Sequence, residues 1–295
     1  MMQPKDQIFS QEESLTYSSR DGLLLHYIRH AGGNGTPVLC LHGLSRNARD
    51  FSNLGRLLSH ERTVYCPDFR GRGQSQWDLI SSRYEPATYV NDVMTLLNHC
   101  GLERVILVGT SLGGIVSAGL SSILKNRIAG VVLNDIGPKI DSLGLTRISQ
   151  HVGKGLVWRN WDEAIASIRD INGALYSDFT DSEWRVFAQQ TCRQNDDGTI
   201  VPDYDPAIAR RFTENAAAEL DLWPLFLALK PIPSLLIRGA LSDLLSKETT
   251  AEMMHRLPLL DLLTVPNRGH VPTLMEPSAA SAIEAFVAKV DALES

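Results

Sequence analysis

The run Val105-Ile106-Leu107-Val108 leads without interruption into Gly109-Thr110-Ser111-Leu112-Gly113-Gly114. A short, unbroken apolar run is the signature of a strand buried on both faces. The residues after it match G-x-S-x-G, a strand-to-helix turn so tight that the serine is held in a strained conformation. Glycines at the two flanks leave room for the chain to pass, and the strain presents the hydroxyl at the carboxyl end of the strand. A chain carrying this feature must place that strand inside a layered structure and follow it directly with a helix.

The surrounding sequence supplies the layers. Leu15-Thr16-Tyr17 and Leu23 to Ile28 read as strands joined by the Asp21-Gly22 turn, an antiparallel start. A Gly32-Gly33-Asn34-Gly35 loop follows, then the buried-strand runs Val38 to Leu41 and Thr63 to Cys66, separated by Phe51, Leu54, Leu57 and Leu58 at helical spacing. Tyr89, Val93, Leu96, Leu97 and Cys100 line a second helix before the strand 104–108, and Ala129 to Leu133 forms the next strand. Small residues Gly113, Gly114, Ser117 and Ala118 let the helix after Ser111 approach the sheet closely. From about Pro138 to Lys230 the alternation stops. Helical patches at Trp161 to Ile171, Asp181 to Gln190 and Pro206 to Ala217 replace it, with no buried strand run among them. Strand-helix order resumes with Ser234 to Arg238, Glu248 to Leu257, Asp261 to Val265 and a last helix bearing Ile283, Phe286, Val287 and Val290. The expected fold is therefore α/β: a mostly parallel, eight-stranded sheet with helices on both faces, residues 1–137 and 231–295 forming the core and 138–230 a helical cap inserted over its ligand-binding edge.

Composition removes several functions. A net charge of -6, with 28 basic and 34 acidic residues and no basic run, speaks against nucleic acid. No apolar stretch approaches the ~18 residues of a membrane span, so membrane insertion is not expected. The polar start, Met1 to Ser14, shows no secretory signal, and the expected location is cytoplasmic. Cys40, Cys66, Cys100 and Cys192 lack metal-ligand spacing and read as buried free thiols. The remaining histidines are scattered without such spacing either, and neither a metal nor a cofactor is expected.

Serine needs a base to become a nucleophile, and the base needs a group that orients it. His270, in Arg268-Gly269-His270-Val271-Pro272, follows the last strand, and Asp243, in Gly239-Ala240-Leu241-Ser242-Asp243, follows the one before it. Both therefore sit with Ser111 at the carboxyl ends of strands, the edge where open α/β sheets gather their sites. Asp135, in Asn134-Asp135-Ile136-Gly137-Pro138, also ends a strand and is the alternative acid; its competing role is to cap backbone amides at the cap junction. An oxyanion hole is expected from the N-H of Leu112, which opens a helix, and of Leu44, in the loop after Leu41. His42, beside that loop, reads as a structural hydrogen-bonding group, and Asp68 with Arg70 as a loop-tying ion pair.

Taken in order, Leu41-His42-Gly43-Leu44, Asp68 to Ser75, Gly109 to Gly114, Ser242-Asp243 and Gly269-His270 resemble the α/β-hydrolase superfamily, in its capped single-domain branch with a serine nucleophile. The chain order Ser, Asp, His agrees with the order stated for that fold, although some members place the acid where Asp135 stands, so Asp243 is the favoured acid and Asp135 its rival. The resemblance implies cofactor-free hydrolysis of a small-molecule carboxylic ester, thioester or lactone through an acyl-enzyme. It leaves open carbon-carbon hydrolysis of a ring-cleavage product by the same triad, and a small-molecule receptor with slow turnover. Nothing in the cap fixes the substrate or the oligomeric state.

Overall fold

The computed structural model of the protein describes residues 12–210 and 221–294. Eight strands form one sheet in the order β1-β2-β4-β3-β5-β6-β9-β10. These are β1 (Glu12–Ser18), β2 (Leu24–Asn34), β3 (Val38–Leu41), β4 (Arg62–Pro67), β5 (Val105–Thr110), β6 (Ile128–Asn134), β9 (Ser234–Gly239) and β10 (Leu260–Val265). The β1-β2 hairpin and the β2-β4 pairing are antiparallel, and every later pairing is parallel. The glycine-rich stretch expected as a loop instead extends β2 to Asn34, with a register irregularity between His30 and Asn34.

Strands β3, β5, β6 and β9 are buried along their whole length, and the two-residue alternation of the pleat divides them between two cores. Leu39, Leu41, Val105, Leu107, Val131 and Leu133 pack with Tyr89, Val93 and Leu96 of α2 (Pro86–His99) and Val116 and Leu120 of α3 (Leu112–Ile123). Val38, Cys40, Ile106, Val108 and Val132 face the opposite side. There they meet Leu54 and Leu58 of α1 (Ser52–Leu58), and Ile283, Phe286 and Val290 of the C-terminal helix, Pro277–Glu294. Each such side chain contributes roughly 1.5–3 kcal/mol by leaving water, so the central strands fix the register of everything attached to their ends.

Between β6 and β9 the described helices are α4 (Ser142–His151), α5 (Trp161–Asn172), α6 (Asp181–Thr191) and a short α7 (Trp223–Phe226). Helix α8 (Lys247–Arg256) then joins β9 to β10, and the C-terminal helix is α9. The expected helices at 161–171 and 181–190 are present; most of the one expected at 206–217 lies outside the described residues. The segment is not purely helical, because β7 (Cys192–Gln194) and β8 (Ile200–Pro202) pair as a two-stranded antiparallel ribbon. It has an apolar cluster of its own, including Ala164, Ile168, Leu175, Tyr176, Trp184 and Ile200.

Polar contacts seat this segment on the core. Asp205 N-H donates to the Gly71 carbonyl at 2.7 Å, Gly73 N-H to the Asp203 carbonyl at 3.1 Å, and the Tyr84 hydroxyl to the Asp205 carboxylate at 2.6 Å. The loop from Asp68 to Ser75 is thus a platform for the segment. Asp68 and Arg70 do tie it, though not to each other: Asp68 pairs with His26 at 2.7 Å, while Arg70, 2 % exposed, pairs with Asp92, Asp78 and Asp21. Among the described residues no helix is long and apolar enough to cross a membrane.

Candidate active site

Ser111 stands between β5 and α3 with φ 52° and ψ -114°, a left-handed conformation that an L-residue adopts only under constraint. The constraint is visible. Its N-H donates to the Asn134 carbonyl at 3.0 Å, and α3 lies so close to β3 that a Cβ on Gly113 would fall 2.0 Å from the Leu41 carbonyl oxygen. A Cβ on Gly109 would likewise meet the Gly113 carbonyl oxygen at 2.5 Å. The two glycines therefore permit the helix to start where the strand ends, which leaves the serine half-buried at the sheet edge.

His270 Nε2 lies 3.0 Å from Ser111 Oγ, and its Nδ1 lies 2.8 Å from Asp135 Oδ2. Asp135 follows β6 with φ 55° and is fully buried. Its Oδ1 accepts from the Gly239 N-H at 2.8 Å and its Oδ2 from the Ser242 hydroxyl at 2.6 Å. An ionised carboxylate only accepts. The Nδ1 of His270 therefore carries the ring proton, and Nε2 is left to accept from the Ser111 hydroxyl. This is the arrangement in which a serine can be deprotonated as it attacks.

Asp243, the acid favoured from sequence, is engaged elsewhere. Its two oxygens accept from Arg147 Nε and Nη2 at 2.6 and 2.9 Å. Against the partial burial that raises it, the Arg147 guanidinium holds the Asp243 carboxyl below the ordinary carboxylate range. β9 ends in a turn whose Gly239 N-H and Ser242 hydroxyl both point at Asp135, which carries the Asp243 side chain past the histidine and onto α4. Ser242 was missed as a site residue; its one signal in the sequence was a hydroxyl placed beside the candidate acid.

Of the expected oxyanion donors, Leu112 directly follows the serine and Leu44 lines the same cavity as Ser111. Leu112 is the first residue of α3, so its N-H has no acceptor within the helix. Leu44 follows Gly43, whose added Cβ would lie 3.8 Å from Ser111 Cβ, and the Leu44 carbonyl is held by Arg72 Nε at 3.0 Å. His42 anchors the same loop through Nδ1 to the Gly43 carbonyl at 2.7 Å and Nε2 to the Phe69 N-H at 3.0 Å. Burial pushes its imidazole down to about 4, so it is neutral and occupied on both nitrogens.

The alpha/beta hydrolase family matches residues 38–287 of the sequence. A 3-hydroxybutyrate-oligomer hydrolase from Cupriavidus necator is 35% identical over 253 residues, covering 83% of this chain and 86% of that protein. The chain belongs to the alpha/beta hydrolase family. A crystal structure of an alpha/beta hydrolase from Novosphingobium aromaticivorans superposes with a TM-score of 0.91 at 39% identity, covering 95% of this chain and 99% of that one. A 2-(acetamidomethylene)succinate hydrolase from Mesorhizobium japonicum is 27% identical over 83% of this chain and 85% of its own length.

In this alpha/beta hydrolase the serine and histidine open into a cavity of about 230 Å³. Gly43, Leu44 and Pro272 line it together with Ile148, Trp158 and Phe187 from the segment between β6 and β9. Of the tryptophans in that segment, Trp158 is the one that lines the cavity, whereas Trp184 packs among Tyr176, Phe179 and Phe187. Cys192 also borders the cavity, but burial pushes its thiol up to about 12 and leaves it a poor nucleophile. The inserted segment also holds the histidine loop: Gly269 N-H donates to the Leu175 carbonyl at 2.9 Å and the Tyr176 hydroxyl to the Val271 carbonyl at 2.8 Å. Among the described residues no cluster of His, Cys, Asp and Glu could hold a metal ion.

Proposed function

We propose that this hydrolase cleaves carboxylic esters of small hydroxy acids through an acyl-enzyme on Ser111, with His270 as base and Asp135 as the acid that orients it. The observation that carries the reading is the relay of 3.0 and 2.8 Å from Ser111 through His270 to Asp135, opening into a cavity of about 230 Å³. That volume lies below the roughly 300 Å³ at which ligand pockets usually begin and suits a short acyl chain. The kinship with a 3-hydroxybutyrate-oligomer hydrolase supports the ester bond and the hydroxy-acid class.

The Ser111 oxygen attacks the ester carbonyl while His270 Nε2 takes its proton. The Leu44 and Leu112 amides donate to the oxyanion, and loss of one such donor costs about 3 kcal/mol of transition-state stabilisation. Collapse of the tetrahedral intermediate breaks the bond to the alcohol oxygen, which leaves with the proton from His270. Water then attacks the acyl-serine, gives a proton to His270, and a second collapse returns that proton to Ser111 and frees the acid. The inserted segment acts as a cap, closing the cavity over the serine and shaping the acyl site.

The test is mass spectrometry after a fluorophosphonate, alongside turnover of p-nitrophenyl butyrate and of the 3-hydroxybutyrate dimer. A single adduct on Ser111, multiple turnover of both esters, and background rates for Ser111→Ala are expected. Turnover undiminished in Ser111→Ala would refute the mechanism, and turnover of the aryl ester alone would remove the hydroxy-acid assignment.

A further inference from the structure

Two arginines line the cavity beside the serine, and they differ in what they have left to offer. Arg46 has all three nitrogens engaged: Nε and Nη2 bind Asp50, Nη1 binds the Thr191 hydroxyl, and the guanidinium lies 4.3 Å over the Phe187 ring, which leaves no nitrogen wholly free. Arg147, on α4, uses only the side edge of its guanidinium, one N-H each from Nε and Nη2, to hold Asp243. A guanidinium has five N-H donors. Three therefore remain on Arg147, including both on Nη1, which has no hydrogen-bond partner among the described residues. The side chain is 24% exposed and borders the cavity. The Asp243 clamp also fixes its orientation, which lowers the ordering cost of binding a second anion. Near it on the same wall, His151 has its imidazole pushed down by burial and by Arg147 and Lys154, so it adds no competing charge at neutral pH.

We infer that the free end of Arg147 is a carboxylate subsite, and that it selects esters whose alcohol portion is a hydroxy acid with a free carboxylate. The inference rests on the ester-hydrolase reading above and narrows it to an anionic substrate. A charge-assisted, end-on pair between this guanidinium and the substrate carboxylate would draw the ester into the cavity and hold it against Ser111. Asp243, displaced from the role of catalytic acid, serves as the positioning residue for that arginine.

The probes are 3-acetoxybutanoate and its neutral isostere 3-acetoxybutanamide, compared by kcat/KM. Removing Arg147 alone would leave Asp243 unpaired near the active site, so the decisive protein is the double variant Arg147→Met/Asp243→Asn. Wild type is expected to favour the anion over the amide by about 10- to 100-fold, mostly through KM, and the double variant to lose that ratio. Asp243→Asn alone should keep only part of the preference, lost through KM because the guanidinium is less firmly held, and Arg147→Lys should likewise retain part of it. Equal rates on the two probes in wild type, or a preference that survives in the double variant, would overturn the subsite. If wild type turns over neither ester, the hydrolase reading fails separately. Calorimetric binding of 3-hydroxybutanoate then decides: binding lost in the double variant upholds the subsite, and no binding to wild type refutes it.

Discussion

Replacing Asp135 by Asn should all but silence the enzyme, and the hydrogen bonds around that side chain say why. One carboxylate oxygen accepts from the Gly239 amide at 2.8 Å, a donor that belongs to the backbone and cannot rotate away. An asparagine must therefore place its carbonyl oxygen there and turn its NH₂ toward His270 and Ser242. The Ser242 hydroxyl can reorient to accept from that NH₂, but His270 Nδ1 must then accept as well and lose its proton to Nε2. The histidine would meet Ser111 with an N-H instead of a lone pair. A base held in the wrong tautomer costs about 10⁴-fold in kcat, roughly 5 kcal/mol. Asp243→Asn weakens only a partly exposed ion pair with Arg147, so its kcat on a neutral aryl ester should stay within about fivefold. Steady-state turnover of p-nitrophenyl butyrate by the two variants, with circular dichroism to verify folding, measures the difference. A collapse in Asp243→Asn together with a working Asp135→Asn would refute the assignment of the acid.

Ser111→Gly should abolish turnover while raising stability by about 1 kcal/mol, because glycine accepts a φ of 52° and the serine side chain makes no helix-capping bond there; a lowered urea midpoint would contradict the strain. His42 makes stability depend on pH. Its imidazole is at about 4 in the folded protein against 6.5 for a free one, so the unfolded chain binds the extra proton first and stability falls as pH drops from 6.5 toward 4, by up to about 3 kcal/mol. Denaturant titrations across that window should show the slope, and its persistence in His42→Gln would assign it elsewhere. Arg70→Met leaves the buried Asp92 and Asp78 without their cation and should cost about 3–5 kcal/mol, read as a fall in the urea midpoint; a change below about 1 kcal/mol would mean the network contributes nothing.

The central strands were legible because burial on both faces leaves an unbroken apolar run, as in Val38 to Leu41 and Val105 to Val108. The serine turn was legible because its glycines are demanded by backbone distances. The choice between Asp135 and Asp243 was not, since each ends a strand at the same sheet edge. What decides it is the direction of two donors, Gly239 and Ser242, and the capture of Asp243 by an arginine 96 residues away in the chain. The β7-β8 ribbon escaped notice for a different reason. Three-residue strands are too short to carry a period, and Cys192 is the one fully buried side chain of the first.

The contacts from Leu175 and Tyr176 to the loop around His270 have a bearing on how such enzymes diversify. A cap that merely covered the cavity could be exchanged for another to change the substrate, with the chemistry left intact. Here the turn at Leu175 and Tyr176, between β6 and β9, also braces the peptide groups on either side of His270. New cavity walls grafted between β6 and β9 without that turn would also remove the two hydrogen bonds that flank His270, so a change of cavity lining there loosens the loop that carries the histidine.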